Sequence, residues 1–177
     1  MRAARWHGQR DIRVEDIDEQ PVGPNDVKID VEACGICGSD LHEYAAGPIF
    51  IPAEDPHPVS GETAPITMGH EFSGIVSEVG DDVTSVSEGT PVTVNPIHWC
   101  GECRSCLEGK YNLCESLGFV GLSGGGGGFA DSLVVSEEKV VPLPEDLPLE
   151  YGALVEPLAV ALHAARETGL QAGDSVA

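Results

Sequence analysis

Apolar and polar positions alternate over several short stretches of the chain. "DVKIDVEA" (26–33) sets Val27, Ile29 and Val31 against charged neighbours, the period-two pattern of a half-buried strand. "FSGIVSEVG" (72–80) and "TPVTVNPI" (90–97) repeat the pattern, and "FADSLVVSEEKVVPLP" (129–144) is again strand-like. Between them, "GPIFIPAEDPHPVSGETAPI" (47–66) is rich in Pro and Gly and reads as a long excursion. Excursions of that length inside a compact domain usually serve function. Short strands joined by irregular loops predict a mainly β architecture, a barrel or a sandwich.

The pattern changes near residue 148. Leu154, Leu158, Ala161, Leu162 and Ala165 recur at helical spacing, with Gly169 as a stop signal, so a helix is predicted over about 153–167. Pro157 fits such a helix in its first turn, where a missing N–H costs little. "LQAGDSVA" then begins something strand-like, and the expectation is a chain cut short there. The glycine run 124–128 invites a phosphate-loop reading, but it leads into strand-like "FADSLVV" and opens no helix. A flexible turn is therefore expected.

Composition narrows the class. At 177 residues the chain has about the length of one ordinary domain and can bury a core without disulfides. Thirty acids face nine bases, for a net charge of −21. Only Lys28, Lys110 and Lys139 are lysines. The acids are scattered, not massed in a tail, which predicts a folded body with an acidic skin. Such a skin repels phosphate backbones and argues against nucleic-acid binding. An acidic mesophilic protein is the bland alternative, but the near-absence of lysine favours a salt-adapted organism. The N-terminal "MRAARWHGQRDIRVED" has no apolar signal-peptide core, and no stretch approaches a membrane span. A cytoplasmic location with reduced thiols is the expectation.

Four thiols stand at Cys100, Cys103, Cys106 and Cys114, in the spacing C-x2-C-x2-C-x7-C. Two-residue gaps let neighbouring thiolates turn toward one ion, and a fourth closes a tetrahedron. Zinc is favoured, an iron–sulfur cluster comes second, and four free cysteines on a loop is the bland alternative. A closed four-Cys site is structural. A second set is more telling. "CGICGSDLH" carries Cys34, Cys37, Ser39, Asp40 and His42; "GHE" carries His70 and Glu71; "VEP" carries Glu156. Cys34 and Cys37 have redox-pair spacing but no thioredoxin-like surroundings. One Cys, one His and one carboxylate suit a catalytic zinc with an open fourth position: Cys37, His70, and Glu71 or Glu156. Adjacent strand residues point to opposite faces, so His70 and Glu71 can share an ion only if the backbone bends there. His7, His57, His98 and His163 are expected at the surface or in packing.

With these motifs the chain resembles the N-terminal catalytic domain of the zinc-dependent medium-chain dehydrogenase/reductase family. "GHEFSGIVSEVGDDV" fits the family signature G-H-E-x2-G-x5-G-x2-V. "CGICGSDLHEYAAGPIFIP", "ETAPITMGHEFSG" and "GLSGGGGGFADSLVV" resemble the butanediol dehydrogenases within it. The resemblance implies a mainly β (α+β) fold, a GroES-like partly open β-barrel with short helices over 1–150 and a structural zinc lobe at 96–116. Residues 151–177 would then be a linker helix and the truncated start of an NAD(P)-binding domain, the Rossmann domain itself being absent. No cofactor-binding residue carries over to this sequence.

It also implies a mechanism. Zinc at Cys37, His70 and Glu71 or Glu156 would polarise the substrate oxygen. Ser39 would take the alcohol proton and pass it to His42, with Glu71 and Glu156 alternating as ligand or water-holder. Hydride would go to NAD(P), held only in the intact protein, itself expected to be a homo-oligomer. The substrate class is a small alcohol, diol or polyol. Threonine, sorbitol and glucose dehydrogenases are alternatives within the family, and a zinc-stapled binding module without chemistry is the alternative outside it.

Overall fold

The structure, a computed structural model, describes residues 1–176. Strands β1 (Arg2–Gly8) and β2 (Asp11–Asp16) form an antiparallel hairpin, and the short β4 (Ile66–Thr67) pairs with the other edge of β1. The main sheet has the order β10-β6-β5-β3-β9, built from β3 (Asp26–Gly35), β5 (Glu71–Val79), β6 (Pro91–Val94), β9 (Ser132–Ser136) and β10 (Val140–Pro142). Every pairing is antiparallel. A bridge between Ala3 and Ala130 joins the two sheets, so they curl into the expected partly open barrel. A two-stranded piece, β7 (Ile97–His98) with β8 (Gly118–Phe119), supports the cysteine lobe.

The alternation read from "DVKIDVEA" orients β3. Val27 and Ile29 are fully buried, and they pack with Phe72, Val76, Val92 and Leu133 from the neighbouring strands. A second cluster gathers Trp6, Ile51, Ile66, Met68 and Leu122 under the excursion. Each such side chain contributes roughly 1.5–3 kcal/mol of burial. Two register shifts in β3, at Lys28/Ile29 and Val31/Ala33, add local twist and aim its C-terminal end at the start of β5. There Gly35 pairs with Glu71 and Cys34 with Phe72.

Helices are short. α1 (Gly38–Ala46) follows β3 directly, and α2 (Arg104–Leu107) lies in the cysteine lobe. A one-turn helix, α3 (Leu149–Gly152), precedes the expected C-terminal helix, which forms as α4 (Val155–Glu167) with Pro157 in its first turn. Its apolar residues do not form a buried stripe: Leu154, Leu158 and Leu162 are exposed. The glycine run forms turns, with Gly124, Gly125 and Gly126 at positive φ. Two of its amides are engaged within the fold, Gly125 N–H by Glu62 and Gly128 N–H by the Gly69 carbonyl.

Candidate metal centre and active-site cleft

Cys37, His70 and Glu71 come together at the junction of β3, α1 and β5. One ligand atom from each lies within 4.8 Å of the others. The backbone bend that this requires occurs at Gly69, whose φ is +94°. A Cβ at Gly69 would stand 2.7 Å from the Phe129 nitrogen and 2.9 Å from Cys34 Sγ, so only glycine fits the turn. Gly35 in turn leaves room for the Glu71 side chain: a Cβ there would stand 3.2 Å from Glu71 Cβ.

Asp40 organises the centre, a role the sequence reading did not assign. It is 4 % exposed and sits in the first turn of α1. Oδ2 accepts the Cys37 N–H at 2.9 Å, and Oδ1 faces His70 Nδ1 at 3.6 Å. Burial pushes the Asp40 carboxyl above its ordinary value, while the Cys37 N–H and the facing His70 pull it back. An acid three residues after a helix-start residue is a capping signal, and that spacing was available in "CGSD". With Nδ1 turned to Asp40, His70 presents Nε2 inward, where Ser39 Oγ stands 3.2 Å away. A thiol, an imidazole nitrogen with a buried carboxylate facing the far side of its ring, and a second carboxylate form a donor set that fits zinc.

The other expected residues sit as follows. His42 is on the exposed side of α1. Glu156, half-buried in the first turn of α4, is not part of the 4.8 Å group. It is close enough for His70 and Glu71 to act on it: burial pushes its carboxyl up, His70 lowers it, and Glu71 adds to the rise. Cys34 is a separate, packed thiol that burial pushes up to about 12, the opposite of an activated redox cysteine. His98 is buried and donates to the Gly124 carbonyl at 3.1 Å, and His57 Nδ1 accepts the Val59 N–H.

Glu156 also lines a groove of about 590 Å³ between α4 and the barrel. Pro96, Ile97, Leu117 and Phe119 form one wall, and Val155, Ala159 and Val160 the other. Asn95, Asn112 and His163 supply polar edges. Apolar walls with few polar groups suit a small, partly apolar ligand.

The cysteine lobe is a second, separate centre. All four sulfurs of Cys100, Cys103, Cys106 and Cys114 lie within 4.8 Å of one another. Main-chain N–H groups point at them: Cys103 N–H at Cys100 Sγ (3.4 Å), and Cys100 and Ser116 N–H at Cys114 Sγ (both 3.3 Å). Donors from the Glu115 and Cys106 backbone pull the Cys103 thiol down to about 6. Such donors favour thiolates, the form that binds metal. All six cysteines are free.

The profile of the alcohol dehydrogenase GroES-like domain matches residues 23–145. The chain belongs to that family. It is 56% identical over 177 residues to the (R,R)-butanediol dehydrogenase of Bacillus subtilis (strain 168), covering 100% of this chain and 50% of that protein. The sorbitol dehydrogenase of the same organism is 36% identical over 177 residues, covering 100% and 48%. The crystal structure of the Bacillus subtilis 2R,3R-butanediol dehydrogenase superposes with a TM-score of 0.92 at 56% identity, over 98% of this chain and 49% of that one. The chain thus spans about half the length of the curated relatives it matches. No helix among the described residues is long and apolar enough to cross a membrane.

Proposed function

We propose that this chain is the catalytic half of a zinc-dependent alcohol or polyol dehydrogenase of the 2,3-butanediol/acetoin type. The observation that carries the reading is the gathering of Cys37, His70 and Glu71 within 4.8 Å, with Ser39 hydrogen-bonded to the same histidine. The 56% identity to a butanediol dehydrogenase, against 36% to a sorbitol dehydrogenase, favours a small vicinal diol over a longer polyol. Threonine and glucose remain substrates to compare in the assay. The groove beside Glu156 is the substrate cleft in this reading.

Zinc held by Cys37, His70 and Glu71 supplies Lewis-acid polarisation of an alcohol or carbonyl oxygen. The protein does the rest. Asp40 faces His70 Nδ1 at 3.6 Å, which leaves Nε2 as the nitrogen for the metal. Ser39 Oγ would accept the hydroxyl proton of the substrate while releasing its own toward His42, exposed on the same helix, which would pass a proton to solvent. Glu156 stands at the cleft, where its half-buried carboxyl would hold a water. Cys100, Cys103, Cys106 and Cys114 would hold a second, structural zinc. In the intact protein NAD(P) would supply the hydride acceptor.

Residues 1–150 form the catalytic unit in this reading, and 151–177 lead toward a nucleotide-binding half. Exposed Leu158, Val160 and Leu162 on α4 suit cover by such a half. The −21 charge supports residence in a salt-rich cytoplasm. The test is an NAD(P)H absorbance assay of the intact protein, zinc-loaded, in molar KCl. Turnover of 2,3-butanediol and acetoin, with slower turnover of sorbitol, threonine and glucose, is expected. Zinc content should be two per chain. One zinc per chain and no turnover of any of these would favour a stapled binding module.

A further inference from the structure

Glu43 lies on α1 one turn beyond Ser39 and is 0 % exposed. A buried carboxylate is costly unless its oxygens are hydrogen-bonded. Glu43 meets that demand with main-chain donors. Ile49 N–H donates to Oε2 at 3.0 Å, Ile51 N–H to Oε1 at 3.2 Å, and Phe50 N–H to Oε1 as well. The Glu43 carbonyl accepts Trp6 Nε1 at 2.9 Å and Gly47 N–H at 3.0 Å. One residue therefore grips three consecutive peptides of the long excursion and ties them to the helix that carries Ser39 and Asp40. Charge-assisted bonds to consecutive amides set geometry as well as stability.

The gripped peptides display Phe50, 48 % exposed. Its ring meets Phe119 edge-on, with centroids 5.7 Å apart and planes at 89°. Its carbonyl accepts Ser123 Oγ at 3.3 Å. Phe119 and Glu156 both line the groove. If the grip is released, Phe50 leaves Phe119, that wall loses its brace, and the groove widens.

Resting on the diol dehydrogenase reading, we infer that Glu43 is a positioning residue that fixes Phe50 against Phe119 and so limits the length of substrate the groove accepts. The test uses the intact protein and two variants. Glu43→Gln keeps the side-chain volume but turns an acceptor into a donor facing main-chain donors. Phe50→Ala removes the brace and leaves the grip. Both should raise KM for 2,3-butanediol about tenfold, the scale of a lost apolar contact. Both should leave kcat within about twofold, because the chemistry is untouched. Preference for 2,3-butanediol over 2,3-hexanediol should shrink in both, with zinc content unchanged. Amide exchange at Ile49, Phe50 and Ile51 should quicken in Glu43→Gln alone.

A fall in kcat or zinc content with KM held in Glu43→Gln would make the residue part of the metal site and overturn the assignment. An unchanged preference in Phe50→Ala would overturn it even if Glu43→Gln failed to fold. Wild-type turnover with KM unmoved in both variants sinks this inference alone; wild-type protein that turns over no diol sinks the functional reading with it.

Discussion

The two metal-ready centres are built in opposite ways. Cys100, Cys103, Cys106 and Cys114 fall within fifteen consecutive residues, whereas Cys37, His70 and Glu71 span thirty-five. The lobe orders itself through local turns and N–H donors aimed at its own sulfurs. The other centre needs the β3–β5 register, the bend at Gly69 and the first turn of α1 at once. The first centre makes structure; the second is made by it. A lesion in the lobe should therefore unfold the lobe, and a lesion at the second centre should remove an ion and spare the fold.

The largest effect expected from that contrast is on paired cysteine variants. Cys103→Ser removes one of four clustered thiols, and a metal held there would be coupled to local folding. Its cost should exceed about 4 kcal/mol, the range reached when a structural metal is lost. Cys37→Ser should cost less than about 1 kcal/mol, because the barrel core around Val27, Ile29 and Phe72 does not depend on it. Zinc analysis should give one ion per chain for each variant, and urea melts should separate them. If Cys37→Ser lost both ions, the two centres would not be independent and the contrast would fail.

The same contrast governs what the sequence revealed. The lobe was legible because its ligands are close together and the spacing carries the geometry. The barrel strands were legible because burial on one face imposes a period of two, as in 26–33. The second centre was legible only in its ligand types. Whether Glu71 or Glu156 joins depends on a bend at Gly69 and on where α4 packs, and no local pattern encodes either. Asp40 and Glu43 were hidden for a related reason. A buried acid looks like any surface acid until its donors, the Cys37 N–H or the Ile49–Ile51 amides, are brought to it by the fold. The helix over 153–167 formed as α4, but Leu154, Leu158 and Leu162 are exposed, because helical spacing does not say what the face meets.

A smaller effect is expected where the lobe joins the barrel. Lys139 is 9 % exposed, donates to the Ile97 carbonyl and stands 4.3 Å from the centre of the Trp99 ring. That ring stacks on Tyr111 of the lobe at 5.0 Å. Burial pushes the Lys139 ammonium down to about 8, with Glu138 opposing. The unfolded chain keeps this proton up to about pH 10.5. Between those values the unfolded state binds more protons, so stability rises with pH across the window and the penalty is fully present below it. The Trp99 ring attracts the cation and trims the penalty. Wild-type protein should gain about 1–3 kcal/mol relative to Lys139→Met from pH 8 to pH 10.5, read as the difference between urea melts. Parallel curves would mean that Lys139 is solvated and does not tie the lobe down.

The smallest effect separates the two regions by charge. Residues 96–116 carry three acids against two bases, so the lobe is nearly neutral, while most of the −21 lies on the rest of the chain. Inside the lobe, Glu108 is paired with Arg104 at 3.0 Å and with Lys110 at 2.9 Å. These exposed attractions pull the Glu108 carboxyl down, Lys110 first, and salt weakens them. Elsewhere the dominant surface term is repulsion among unpaired acids, and salt relieves it by shortening its reach from roughly 10 Å at 0.1 M to about 3 Å at 1 M. The two regions should respond to KCl in opposite directions. Global stability should rise on the order of 1 kcal/mol between these concentrations, roughly 2–4 °C in melting temperature at this size. Amide exchange of β3 and β5 should slow accordingly. Exchange at Leu107, Glu108 and Gly109, whose N–H groups close the turn of the lobe, should stay level or quicken. If lobe amides slowed in step with β3, the lobe would share the barrel's electrostatics and open only with it, and its independence would be lost.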